Sequence, residues 1–173
     1  MVSTKDITKE AKERQVIQSI AAARGWLTDL GLIFRGEAAK KEPDFFYFGR
    51  NEKVAFEVTE ICDQEIAHSS SVALESGKIT EFQRTHGVAK LILEKKLNKK
   101  YEYIADCPIE LVCFFNARTF ETDQQIVDQI FSLILELKVK FNKVWYHGLE
   151  DVYEFYNDGS PPRNHGPYPS GFT

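Results

Sequence analysis

Glu42 to Ile61 reads E-P-D-F-F-Y-F-G-R-N-E-K-V-A-F-E-V-T-E-I. Its two apolar runs, Phe45–Phe48 and Val54–Ile61, are rich in aromatic and β-branched residues, and Gly49, Arg50 and Asn51 punctuate them, which is the pattern of a β-hairpin. Side chains alternate faces along a strand, so Glu57 shares a face with Ala55 and Thr59 while Val54, Phe56 and Val58 take the other. Asp44 leads into the first strand directly after the rigid Pro43. A carboxylate within such an apolar run is costly to bury without a counter-charge, so a cation shared by Asp44 and Glu57 is one reading of the pair. The other reading makes Asp44 a simple strand-leading residue and Glu57 an exposed one. Spacing alone does not choose between them.

Length and composition bound what the hairpin belongs to. With 173 residues, 43% hydrophobic and 13% aromatic, the chain can bury one substantial core, and a single domain over residues 1–156 with a Pro/Gly-rich tail over 157–173 is expected. The net charge of −4 provides no overall basic field, so a polyanionic partner would need a local patch. Cys62, Cys107 and Cys113 fit neither a disulfide framework nor a CxxC metal site and read as reduced thiols. The polar start M-V-S-T-K-D-I-T-K-E is no signal peptide, and no apolar run approaches the roughly 18 to 20 residues of a membrane span. The expectation is a soluble, cytoplasmic protein with no membrane partner.

Outward from the hairpin, the remaining elements follow from periodicity. Val16, Ile17, Ile20, Ala21 and Leu27 recur at helical spacing, which predicts a helix over about 6–29. Leu32–Phe34 is a short first strand. After the hairpin comes a polar loop, Asp63–Ser71, and then a helical stretch, Ile79–Leu97, that Gly87 interrupts. Lys90, Lys95, Lys96, Lys99 and Lys100 concentrate positive charge there. Ile109–Phe115 is a near-continuous apolar run, as in a strand covered on both faces. Thr122 with Gln125 forms a capping box, and Ile126, Val127, Ile130, Phe131, Ile134 and Leu135 make an apolar stripe, predicting a helix over 123–139. Lys143–His147 and Val152–Phe155 read as further strands. From Asn157 the tail is rich in proline and glycine and is read as disordered or draped over the surface. The hairpin demands antiparallel pairing, whereas strands reached through a helix should be parallel, so a mixed α/β sheet flanked by helices is expected.

Pro43-Asp44, followed after twelve residues by Glu57-Val58-Thr59 within an αβββαβ order, resembles the PD-(D/E)XK nuclease superfamily. The resemblance spans about residues 10–147 and implies a restriction-endonuclease-like core. It also implies that Asp44 and Glu57 are catalytic carboxylates binding Mg²⁺ or Mn²⁺, with the backbone carbonyl of Val58 completing the metal site. Thr59 stands where the family carries its catalytic lysine. A threonine hydroxyl can orient a water but has no charge to offer a developing phosphoryl anion. In parts of the superfamily that lysine has moved to the following helix, which makes Lys90 the first candidate here, with Lys78 and Lys95 behind it. Glu10 or Glu13 on the first helix would be a further metal ligand by the same resemblance, although on residue type alone each reads as surface charge.

Other groups carry weaker signals. Glu60 points away from Glu57 on a regular strand. His68, His86, His147 and His165 have no zinc-ligand spacing with the cysteines, and only His147 falls near a strand end. Phe45, Phe46, Tyr47 and Phe48 invite thoughts of base stacking, but alternating aromatics on a strand read as core. The expected function is Mg²⁺-dependent hydrolysis of nucleic acid, and the alternative is a catalytically inactive, nuclease-derived binding or regulatory module. Nucleic acid, a protein or a second copy of the chain are the partners these readings allow.

Overall fold

The computed structural model describes residues 4–26, 32–37, 39, 42–49, 52–63, 66, 87–97, 107–116, 119–137 and 139–167. The described elements are α1 (Thr4–Ala23), β1 (Ile33–Arg35), β2 (Phe45–Phe48), β3 (Lys53–Ile61), α2 (Val88–Leu97), β4 (Ile109–Phe115), α3 (Asp123–Glu136), β5 (Lys143–His147), β6 (Asp151–Tyr156) and β7 (Arg163–Pro167). The strands form one seven-stranded sheet in sequential order from β1 to β7. Neighbours are antiparallel from β1 to β3 and from β5 to β7, and parallel where a helix intervenes, between β3 and β4 and between β4 and β5. That is the mixed α/β sheet the connections demand.

Each face of the sheet has its own helical cover. Val16, Ile17 and Ile20 of α1 pack on Phe45, Tyr47, Phe56, Val58, Val112, Phe114 and Trp145. On the opposite face Ala89, Leu93 and Leu97 of α2 and the Ile126, Ile130 and Leu133 stripe of α3 cover Ile61, Leu111, Cys113, Val144 and Tyr146. In β4 the residues from Glu110 to Phe114 are all buried because both layers close over them. Fully burying one of these large apolar side chains is worth about 1.5–3 kcal/mol, so the two layers together dominate the favourable side of folding.

Several boundaries differ from the periodicity reading. α1 ends at Ala23, and Gly25 follows at φ 79°, a left-handed turn that a helix through residue 29 could not contain. Helix α3 begins at the Thr122 capping box as expected and stops at Glu136. Arg163–Pro167 of the tail pairs with β6 as an edge strand although it has no β-branched or large apolar residue. Backbone pairing with an existing edge, rather than strand propensity, orders it. Lys78, His68, His86, most of the Asp63–Ser71 loop and the first part of the 79–97 stretch lie outside the described residues.

The aromatic run of β2 splits between two faces. Phe45 and Tyr47 are core, at 0% and 4% exposure, but Phe48 is 40% exposed and Phe46 half-buried. The alternation is regular; what the periodicity reading lacked is that helical cover on the α2 side is concentrated over β3–β5.

Candidate functional site

The hairpin register sets the site. Phe45 pairs with Phe56, and β2 begins there because Asp44 bends away from the ladder. The bend is held twice. Gly36 N–H donates to the Asp44 carbonyl at 3.0 Å, and the Asp44 carboxylate accepts from Val58 N–H at 2.8 Å. The side chain thus takes over a backbone acceptor's role at the point where the two strands separate. Only glycine fits at Gly36, since a Cβ there would lie 1.9 Å from the Pro43 carbonyl oxygen.

Glu57 is buried on the α2 face, and its Oε1 accepts from Lys96 Nζ at 2.7 Å. The same ammonium lies 3.5 Å from the carbonyl oxygen of Val58. Two of the oxygens that the resemblance implies for a metal therefore converge on one positive charge, the ammonium of Lys96. The third implied ligand, Asp44, is fixed to the same peptide through Val58 N–H. Hard oxygen donors of this kind suit Mg²⁺ or Mn²⁺. Among the described residues, no group of three or more His, Cys, Asp and Glu side chains is gathered around a common point.

Lys96, not Lys90, reaches Glu57. Lys90 is exposed, with its Nζ 4.0 Å from Glu136 on α3, and Lys95 is exposed in the last turn of α2. At roughly 100° per residue, Lys96 lies between Val88 and Ala89 on the buried arc of Val88, Ala89, Leu93 and Leu97, whereas Lys90 and Lys95 fall just beyond its two ends. That phase was readable in the sequence as a lysine on an apolar face. Thr59 is buried beside Cys113 on the same face as Glu57 and brings no charge.

On the α1 side, Glu13 proves to be buried, at 4% exposure, which corrects its reading as surface charge. Burial holds its carboxyl above the ordinary range; Lys9 opposes that shift, Asp44 adds to it as a like charge, and Arg35 also opposes it. Glu13 and Asp44 thus share a neighbourhood. Glu10 is a surface residue that pairs with Arg35 at 2.8 Å. Glu60 faces away from Glu57 and accepts from Asn116 at 2.7 Å. His147 ends β5 beside a cavity of about 280 Å³ that also meets Lys12, Ser19 and Asn116, and burial lowers its pKa.

A second polar cluster, with no precedent in the motif reading, lies at the C-terminal end of α1. Buried Glu110 accepts from Arg24 at 3.1 Å and from Trp145 Nε1 at 2.7 Å. Buried Glu154 accepts from Lys143, Tyr156 and His165. Arg24, Trp145, Lys143, Glu154, Tyr156 and His165 border a cleft of about 460 Å³. Burial raises the Glu154 carboxyl, but its three donors outweigh that and leave it below the ordinary range.

No helix among the described residues is long and apolar enough to cross a membrane. No family model matches this chain, and neither a curated protein nor a solved structure matches it significantly.

Proposed function

We propose that the chain is a divalent-metal-dependent phosphodiesterase of the PD-(D/E)XK kind, acting on nucleic acid, in which Lys96 supplies the ammonium that Thr59 cannot. The observation that carries the reading is the convergence of Glu57 Oε1 and the Val58 carbonyl on Lys96 Nζ, at 2.7 and 3.5 Å, with Asp44 bonded to Val58 N–H at 2.8 Å. The restriction-endonuclease-like order of elements and the Pro43-Asp44 and Glu57 spacing support it further. Asp44, Glu57 and the Val58 carbonyl would hold Mg²⁺ or Mn²⁺, which supplies a more acidic water and neutralises phosphoryl charge. The protein's own groups do the rest. Lys96, released from the Glu57 and Val58 oxygens, would present its N–H donors to a developing phosphoryl oxyanion. Lys96 must swing off the two oxygens when a metal arrives, which its flexible stem allows.

One observation favours a second reading. An ammonium seated on two of the oxygens meant for a metal neutralises Glu57 by itself, as it would in an inactive binding or regulatory module. Cleavage assays separate the two. With Mg²⁺ or Mn²⁺, the wild type should cut DNA or RNA oligonucleotides while Glu57→Ala does not. No cleavage of any single- or double-stranded substrate by the wild type would leave the binding module.

A further inference from the structure

Three phenylalanines lie on the same sheet face as Glu57 and Lys96 without forming part of the core beneath α2. Phe34 pairs with Phe46 across β1 and β2, Phe46 with Ala55, and Phe48 with Lys53, so all of these side chains share the face of Ala55 and Glu57. Phe34 is 50% and Phe48 40% exposed. Their rings form a continuous row: Phe46 and Phe48 are nearly parallel, 4° apart with centroids 6.0 Å apart, and Phe34 lies 5.9 Å from Phe48. Phe46 stands two positions from Asp44, so the row leads outward from the candidate site to the sheet edge.

We propose that this row is a stacking platform for unpaired bases, and that the polynucleotide bound here is therefore single-stranded; the proposal rests on the nuclease reading and names its substrate class. A sheet face carrying exposed rings, Phe48 parallel to Phe46 and Phe34 tilted 50° to Phe48, suits bases that have left a duplex, because each base offers a π-face to a ring and no base identity is required. A duplex keeps its bases stacked on each other and has nothing to give such a surface. The charge on this face agrees. Lys53 is exposed beside Phe48, and the buried carboxylate of Glu57 is paired with Lys96. Glu52 faces the opposite side, toward Arg24. A chain of net charge −4 thus places one exposed lysine, Lys53, beside the rings, where it can meet a phosphate. A two-fold contact between copies of this chain through the same rings would instead bring like-charged Lys53 side chains toward each other.

The test is fluorescence anisotropy with a labelled single-stranded DNA of about a dozen nucleotides and its duplex, a length within the range such platforms span, in EDTA so that no cleavage occurs. The single strand should bind at least about tenfold tighter than the duplex, and Phe34→Ala and Phe48→Ala should each weaken it about tenfold. Phe48→Trp, which keeps a ring, should retain binding and have its fluorescence quenched by the bound strand. Equal or tighter binding of the duplex, wild-type affinity in both alanine variants, or a wild-type dimer that Phe48→Ala dissociates would each overturn the platform. Failure here leaves metal-dependent cleavage of a duplex open to its own assay, and failure of cleavage leaves strand binding in EDTA measurable.

Discussion

The ammonium of Lys96, on α2, meets the carboxylate of Glu57, on β3, at 2.7 Å across 39 residues of sequence. Glu57 is 1% exposed and Lys96 26%, so the pair joins a fixed anion to a cation whose stem still reaches solvent. On the proposed nuclease reading, such an ammonium either works beside a metal or replaces it. If it works beside one, Lys96→Ala should lower the cleavage rate by about 10² or more while Mg²⁺ still raises the Tm. If it replaces one, the wild-type Tm should ignore millimolar Mg²⁺, and Lys96→Ala should become Mg²⁺-responsive because the pair's oxygens are freed. Cleavage rates and melting curves recorded across a Mg²⁺ titration of both proteins decide the matter.

Glu13 yields a prediction with a definite sign. Its folded-state carboxyl is raised by burial, and a raised carboxyl makes the native state bind more protons than the unfolded one. Its ionisation therefore costs stability as pH rises above the ordinary value of 4.5, and costs nothing below it. Glu13→Gln should raise the Tm by a few degrees at pH 7, with the gain shrinking to nothing as pH falls toward 4.5. A gain independent of pH would mean that packing, not charge, limits this position.

The fold was legible wherever local signals and packing agree. The hairpin, the Thr122 capping box and the apolar β4 each declared themselves, and the parallel crossovers followed from the helices between strands. β7 was not legible, because Arg163–Pro167 is ordered by an edge that only the folded sheet provides. Half the site was likewise local: Asp44 and Glu57 sit on one hairpin. Lys96 was not found because five lysines crowd the same stretch, and helical phase against Ala89 and Leu93 had to be weighed to single it out. Glu13 and the Arg24–Glu110–Trp145 contacts depend on how α1 lies over the sheet, which no sequence neighbour encodes.

The three cysteines should separate by reactivity. Cys113 is fully buried in β4, and burial pushes its thiol up to about 12 despite the nearby Lys96. Cys62 and Cys107 are only half-buried. The thiolate is the reactive form, so at pH 8 a thiol reagent should label Cys62 and Cys107 in the native protein and reach Cys113 only on unfolding. Rapid native labelling of Cys113 would show that β4 opens locally without global unfolding.

Arg24 and Glu110 set the stability of the sheet at the C-terminal end of α1. The guanidinium grips Glu110 with both terminal nitrogens at 3.1 Å and lies 4.3 Å from the Trp26 ring, while Trp145 Nε1 donates to the same carboxylate. Arg24→Ala leaves a buried carboxylate with one neutral donor, a change that should cost about 3 kcal/mol at pH 7. Even with Arg24 in place, burial holds the Glu110 carboxyl above its ordinary range. Without the guanidinium it rises further, so the variant's native state takes up a proton as pH falls and the unfolded state does so later. The loss should therefore be full at neutral pH and shrink steadily on acidification. Glu110→Gln in the Arg24→Ala background should recover much of the stability at pH 7, because the amide removes the buried charge and can still accept from Trp145. Denaturant melts of the two variants from pH 4 to 8 test this. A loss that stays constant with pH would assign Arg24's contribution to its packing on Trp26 instead of its charge.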